Sequence, residues 1–484
     1  MRSKWCKYVL SSAVVVCGIY AGSMKQGVFA QESAQPKAIA EGEKEDLKWQ
    51  LKQMEEGVKR QQEQIQAINN RLNATNASVE DVKKIGSTAK EPDDFRVYWK
   101  EGLNFDTNNK NFKLKIGGRI QQDWGWFRED NEIEDTIGRQ VDGAEFRRAR
   151  IYLSGTIYNN IDFKMEYDFA AGGRPSFTDV FVELKEIPVA GNFRVGHFKE
   201  PFSLEELTSS NYITFMERSL PNVFAPARNT GMMLHNTLAD KRMTWAAGVF
   251  RNADDFGDSE WADKVRGVGD SSEGGYSFSG RLTGLPWYEE EGRKLLHTGI
   301  GYSYQNALEN TIRYRQRPEM AMADRFVDTG AIAAEATHLF GPELALVYGP
   351  LSLQTEYQFA NVDLEEGGGS DPDFSGFYVY GSYFLTGENR RYSTKSGSFD
   401  MVKPKKNFKW GEGLGAIELA ARYSALDLAD EDISGGRLQD TTVGVNWYLN
   451  PNMRIMLNYV HSEADVRGVD GSADLVGMRF NIFF

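Results

Sequence analysis

The run Leu475-Val476-Gly477-Met478-Arg479-Phe480-Asn481-Ile482-Phe483-Phe484 decides how the rest of the chain is read. Val476, Met478, Phe480, Ile482 and Phe484 alternate with Gly477, Arg479 and Asn481. That period of two belongs to a strand with one apolar and one polar face. A strand at the extreme C-terminus either ends an ordinary soluble sheet or closes a barrel against the first strand, removing both unpaired edges.

Recurrence separates the two. From Phe112, the residues Phe112, Leu114, Ile116, Ile120, Trp124 and Trp126 share one face, and Lys113, Lys115, Arg119, Gln121 and Asp123 the other. Sixteen such segments follow, near 112–127, 144–157, 161–171, 178–187, 192–199, 230–238, 242–251, 275–284, 295–305, 336–349, 351–362, 374–386, 414–425, 439–449, 453–463 and 472–484. A tilted membrane strand needs about 9 to 11 residues, which these supply. Tight turns at Asn159-Asn160, Ala239-Asp240-Lys241, Gly349-Pro350 and Asn450-Pro451-Asn452 alternate with long connections at 128–143, 199–229, 252–274, 306–335 and 426–438. Short turns on one side and long loops on the other are the outer-membrane pattern. The expected fold is an all-β membrane protein, a sixteen-stranded antiparallel transmembrane β-barrel over 112–484. The terminal Phe484 also resembles the insertion mark of outer-membrane barrels. Two places strain the pattern: Gly341-Pro342 interrupts the tenth strand, and the Lys-rich stretch 387–413 is long on the side expected to be short.

One connection stands apart. Between Phe193 and Gly231 the alternation ends near Lys199, and Pro201, Pro221 and Pro226 follow amid Phe202, Leu204, Leu207, Ile213, Phe215, Met216, Leu220 and Phe224. A loop of this length and apolarity needs something to pack on. It is expected to fold inside the barrel over 199–229 and narrow it, the alternative being a surface lid packed on itself.

Ahead of the barrel, residues 1–30 carry a basic start (Arg2, Lys4, Lys7), an apolar core from Val9 to Tyr20, and Val28-Phe29-Ala30 as a cleavage site, the signature of an export signal. Both cysteines, Cys6 and Cys17, lie in it, which leaves the rest without disulfides or thiolate metal sites. Residues 31–46 read as flexible. Then Leu47, Met54, Gln61, Ile68, Thr75 and Val82 repeat every seven, with Leu51, Val58, Ile65, Leu72 and Val79 between them. This predicts an α-helical coiled coil over 47–85, or a lone amphipathic helix, joined to the barrel by a linker at 86–111.

Without the signal the chain holds 52 basic against 69 acidic residues, a net charge of −17. That argues against nucleic acid as a partner. It says little about a channel, whose local lining matters more. With the apolar face outward, Lys113, Lys115, Arg119, Arg148, Arg150 and Arg194 point inward beside Asp123, next to an acidic arc of Asp162, Glu166, Asp168, Asp179 and Glu183 with Lys164 and Lys185. Such charges select solutes by local field, or pair across strands for stability, as Arg148 with Glu166 could. The loop adds Lys199, Arg218 and Arg228, but also Glu200, Glu205, Glu206 and Glu217. Catalysis finds little support: His197, His235, His297, His338 and His461 lack zinc-ligand spacing, and no Gly-x-Ser-x-Gly or phosphate-cradling motif occurs. No enzyme activity, cofactor or metal is expected.

The runs KLKIGGRIQQDWGWF (113–127), EFRRARIYLSGTIYNNIDFKMEYDF (145–169), FRVGHFKEPFSLEELTSSNYITFMERSLPNVFAPARNTG (193–231) and YVYGSYFLTGENRRY (378–392) resemble the phosphate-selective porin O and P family. The resemblance covers roughly 95–484. It implies a trimeric outer-membrane channel with a constriction loop and a basic lumen that draws in phosphate or polyphosphate. By motif, Arg119, Arg148, Arg150, Arg194 and Lys199 would sit in or near that path. The expected function is therefore a passive channel for small anions in a homotrimer, its coiled coil in the periplasm. The alternative is a structural protein whose coiled coil ties the outer membrane to a cell-wall polymer.

Overall fold

The computed structural model describes residues 41–88, 95–170, 174–258 and 275–484. The expected signal and residues 31–40 lie outside them. Two compact units divide at Lys90 and Glu91. The described part of the first is one helix, Glu41–Thr88, of 48 residues. It begins earlier than the expected coiled coil and takes in the end of the segment expected to be flexible. Leu47, Leu51, Met54, Val58, Ile65, Ile68 and Leu72 stand exposed along it. A helix of this kind is held mainly by what covers its apolar stripe.

In the second unit, the stretch expected to be a linker holds a hairpin, Phe95–Trp99 with Leu103–Thr107, whose second strand pairs with the first barrel strand from Leu103↔Ile116 to Asp106↔Lys113. Val97, Trp99, Leu103 and Phe105 alternate with polar residues around a turn where Glu101 and Gly102 take positive φ. Asp106 accepts hydrogen bonds from Arg96 and Tyr98, both at 3.0 Å.

Sixteen long strands make a closed antiparallel barrel. They are β1 Phe112–Glu129, β2 Gly143–Ile157, β3 Ile161–Asp168, β4 Ser176–Ile187, β5 Gly191–Lys199, β6 Arg228–Leu238, β7 Met243–Arg251 and β8 Ser277–Glu289. The second half is β9 Lys294–Asn306, β10 Ile332–Tyr348, β11 Leu351–Leu364, β12 Asp373–Phe384, β13 Ala416–Asp430, β14 Ile433–Asn450, β15 Met453–Val466 and β16 Val469–Phe483. Closure is where the terminal run placed it, with β16 on β1 from Phe483↔Arg119 to Ala473↔Glu129. Phe484 exchanges backbone hydrogen bonds with Gly118 at 2.8 and 2.9 Å. A Cβ on Gly117 would meet the Phe484 carbonyl oxygen at 2.4 Å, so the seam needs glycine there. Every barrel strand is thus paired on both sides, which leaves the sheet no open edge toward lipid.

The tenth strand is real despite Gly341-Pro342. Pro342 has no N–H to give, and the β10–β11 ladder passes from Phe340↔Phe359 to Glu343↔Glu356 without either residue. Gly341 leaves room for a ring: Phe202, fully buried, lies in a slot where a Cβ on Gly301 or Gly341 would come within 2.9 Å.

Phe202 belongs to the β5–β6 loop, whose apolar side chains pack inside the barrel. Phe202, Leu204, Ile213, Phe215, Met216, Leu220 and Phe224 are all buried. The stretch after β12 also turns inward. A short hairpin, Arg391–Ser393 with Ser398–Asp400, enters from the short-turn end. There Arg390 donates to Gln354 at 2.9 Å, Tyr392 OH meets His297 Nδ1 at 2.7 Å, and Arg281 donates to the Gly397 carbonyl at 2.8 Å. This explains its length on the wrong side: half of it is filling.

Candidate functional site

The loop crosses from β5 to the far wall and is bonded there residue by residue. The carboxylate of Glu356 (β11) accepts from the backbone N–H of Leu204 and Glu205 at 3.0 and 2.7 Å. Asn446 (β14) donates to the Thr214 carbonyl at 2.7 Å, and Arg454 (β15) to the Ile213 carbonyl at 2.8 Å. Arg422 (β13) bonds Glu205 at 3.2 Å and Glu319 at 2.9 Å, and its guanidinium lies 4.3 Å over the Phe215 ring. Arg479 (β16) holds Asp123 (β1) at 2.6 Å and Glu217 of the loop at 2.6 Å. The Arg422 and Arg479 side chains are 0% and 1% exposed.

On the opposite wall, β2 to β6, the inward charges keep contact with the lumen. Lys164, Arg194 and Arg228 are 22 to 25% exposed, and Arg147 is 32% exposed. They interlock with acids. Glu166 takes Arg119 at 3.1 Å, Arg150 at 3.1 Å and Lys164 at 2.6 Å. Asp168 takes Arg150 at 2.7 Å; Asp179 takes Lys164 at 2.6 Å and Arg228 at 2.7 Å; Glu183 takes Arg194 at 2.6 Å. In the loop, Glu206 takes Lys199 at 2.8 Å and Arg218 at 3.1 Å. Burial alone would push the Glu206 carboxyl up, but the Arg218 and Lys199 charges outweigh it and hold it at about 2. Burial acts on Glu217 in the same way, and Arg147 and Arg479 bring it well below the usual carboxylate range.

The residues expected to line an anion path thus fall into groups. Arg119, Arg150, Arg194 and Arg228 stand on the β1–β6 wall, each paired with a carboxylate. Lys199 and Arg218 brace the loop; Arg218 also donates to the carbonyls of Glu205, Glu206 and Thr208 at 3.0 to 3.2 Å. Arg148 donates to Gln121 at 2.9 Å and has no carboxylate partner among the described residues. It does not pair with Glu166. Lys113, exposed, and Lys115, half-buried with its ammonium 5.8 Å from the Tyr152 ring, lie toward the short-turn end.

Between the loop and this wall opens a chamber of about 480 Å³, lined by Arg147, Arg218, Arg317, Arg325, Glu217 and Asn222 among others. The β9–β10 loop forms its roof and is itself docked inward. Glu319 accepts from Ser424 at 2.6 Å and Thr442 at 2.5 Å as well as from Arg422. Burial pushes the Glu319 carboxyl up against the pull of Arg422. Among the described residues Arg315, Arg317 and Arg325 have no carboxylate partner, while Arg313 is paired with Asp328 at 2.8 Å.

A model of the family described as phosphate-selective porin O and P matches residues 114–484. The chain belongs to that family. It is an outer-membrane porin, a channel built on a β-barrel. Porin O of Pseudomonas aeruginosa is 29% identical over 418 residues, covering 78% of this chain and 90% of that protein. An uncharacterized protein of Caulobacter vibrioides is 30% identical over 375 residues, 75% of this chain and 71% of that one. An anion-selective porin from Comamonas acidovorans has a TM-score of 0.49 at 12% identity, over 77% of this chain and 100% of its own.

Sequence reasoning missed two sets of residues in this porin. Arg147 has the parity of the lipid face, yet it points inward. Gln121 pairs with Arg148 and Gln122 with Phe146, so Arg147 is the extra residue of a β-bulge and reaches Glu217 at 3.0 Å. The signal was present: of two consecutive arginines in one membrane strand, strict alternation sends one into lipid, at a cost of about 2–4 kcal/mol near the midplane. The other set is Arg281, Arg422, Arg454 and Arg479 on β8 and β13 to β16. Each occupies a polar-face position, but nothing local marks Arg281 as the holder of Gly397, 116 residues on, or the other three as anchors for a loop more than 200 residues away, as Arg479 is for Glu217.

Proposed function

We propose that this porin passes small anions, phosphate among them, through a track that begins at Arg315, Arg317 and Arg325, crosses the chamber past Arg147 and Arg148, and descends the β2–β6 wall beside Arg150, Lys164, Arg228 and Arg194 toward Lys115 and Lys113. One observation carries the reading. Glu166, Asp168, Asp179, Glu183, Glu206 and Glu217 are each bonded to at least one cation, whereas Arg148, Arg315, Arg317 and Arg325 have no carboxylate partner among the described residues. Glu145 also lines the chamber without a cation partner among the described residues. Four unpaired arginines thus stand against one unpaired carboxylate, and the uncompensated charge is net positive although the chain as a whole is acidic. Charges beyond roughly 8 Å are screened at physiological salt, so this local excess governs the passing ion. The phosphate-selective character for which the family is named agrees with the reading.

The test is the reversal potential of the reconstituted channel across a salt gradient. The wild type should prefer anions. Arg148→Ala with Arg317→Ala should move the potential toward cations and lower phosphate flux; a cation-preferring wild type, or an unmoved double variant, leaves only a general porin.

The same proposal makes the protein a homotrimer, with helix 41–88 as a periplasmic coiled coil. The exposed seam Leu47, Leu51, Met54, Val58, Ile65, Ile68 and Leu72 supports this, since two further copies would cover it. Deleting 47–85 should weaken the trimer and leave conductance intact. Loss of envelope attachment with the trimer unchanged would favour a tether to the cell wall.

A further inference from the structure

Half of the stretch between β12 and β13 fills the barrel; the other half, from Lys403 to Leu414, does something else. It leaves the lumen and lies over the outer face of the wall at the short-turn end. Phe408 donates its backbone N–H to the Leu449 carbonyl at 2.6 Å, and its ring meets Trp447 edge-on at 5.0 Å. Trp447 has the lipid-facing parity of Val443 and Val445 and stands three residues from the Asn450 end of β14. Its indole N–H donates to the Leu414 carbonyl at 2.7 Å, which fixes the returning strand of the segment. A tight turn then throws Trp410 outward: Glu412 and Gly413 donate to the Lys409 carbonyl at 2.9 and 3.0 Å, with Gly411 at φ +73°. Trp410 is 86% exposed and Leu414 68%. Lys403, Lys405, Lys406 and Lys409 are exposed around them.

We propose that residues 403–414 form a foot that binds anionic phospholipid headgroups in the periplasmic leaflet of the outer membrane. Three observations converge on a lipid surface. The segment sits on the lipid-facing wall where the barrel's apolar band ends, marked by Tyr383, Leu419 and Trp447. An exposed tryptophan beside an exposed leucine is the amphipathic pair that settles at a membrane interface, and lysines beside it meet phosphate. The ion pairs present there compete little: Lys409–Glu412 at 2.6 Å and Lys403–Glu101 at 3.1 Å are solvent-exposed, and Lys406 has no partner among the described residues. The short-turn end of an outer-membrane barrel faces the periplasm, so the leaflet is the phospholipid one. The foot lies outside the lumen and shares no residue with the proposed anion track.

The experiment reconstitutes the full-length porin in nanodiscs of phosphatidylcholine with a minority of phosphatidylglycerol, then extracts it gently and measures phosphatidylglycerol retained per chain. The wild type should hold this lipid at several times its bulk fraction. K405Q/K406Q/K409Q should bring it to the bulk fraction, since each lysine at an anionic surface is worth roughly five-fold in partitioning. W410A, a change at an exposed tip, should lower retention several-fold with every lysine in place. Single-channel conductance, unchanged in both variants, verifies folding. No enrichment in the wild type, or equal enrichment in the lysine variant, overturns the proposal. So does lysine-dependent binding of a soluble anionic cell-wall glycan, or of glycerophosphate, without enrichment of the lipid.

Discussion

The two walls of this barrel use the same residues to opposite ends. On β11 to β16 the inward arginines are fully buried: Arg422, Arg454 and Arg479 are spent on loop carbonyls and on Glu205, Glu217 and Glu319. On β2 to β6, Lys164, Arg194 and Arg228 form an interlaced ladder that still touches the lumen. The difference is one of solvent. A buried ion pair is held by low dielectric and costs much to break singly, whereas a part-exposed pair is screened and leaves its field available to a third ion. The loop is anchored on one wall and faces the other, and Glu217 joins them by holding Arg147 of β2 and Arg479 of β16 together.

This contrast can be broken most severely on the anchoring wall. Arg422→Ala leaves Glu319 and Glu205 buried without their cation and should cost about 3–5 kcal/mol, seen as a lower temperature of barrel unfolding on heated gels. The loop, released, should also raise the conductance and its noise. A variant as stable and as quiet as the wild type would show that Arg422 anchors nothing.

Arg147→Ala should act on selectivity with a smaller loss of stability, because Arg479 still holds Glu217. A lumen charge within about 4 Å of an ion is worth on the order of 1 to 4 kcal/mol, depending on dielectric. The reversal potential in a potassium chloride gradient should therefore move toward cations. Glu217→Gln should move it the other way, by freeing Arg147 while the barrel persists.

On the passage wall, Arg194→Gln removes a part-exposed partner of Glu183 and should change stability by no more than about 1 kcal/mol by thermal unfolding. The smallest effect is expected from acid. The Glu206 carboxyl is depressed to about 2, so its stabilising contribution is full above the free carboxylate range and is lost progressively from there as pH falls through about 2. The carboxylate of the folded protein itself stays ionised until about 2. Lys199–Glu206–Arg218 should thus stay closed from pH 7 to pH 4, and Glu206→Gln should not alter how conductance changes over that interval. A step at pH 4 to 5 that disappears in Glu206→Gln would contradict it.

The chain by itself determined the strands, their sidedness and the closing β16–β1 seam, because each rests on a pattern a few residues long: a period of two or a turn. Gly341-Pro342 looked like a break because a proline removes one ladder bond; only the packed Phe202 ring explains the glycine beside it. The hairpin at 95–107 was hidden by its shortness, and the inward half of the β12–β13 stretch by the lysines of the half that follows it. Only the tertiary structure decided which inward charges are spent and which remain free. Arg479 finds Asp123 across 356 residues, and a single bulge turns Arg147 from lipid to lumen. Coulomb energy depends on distances of a few ångström between groups remote in sequence, and no local pattern carries those distances.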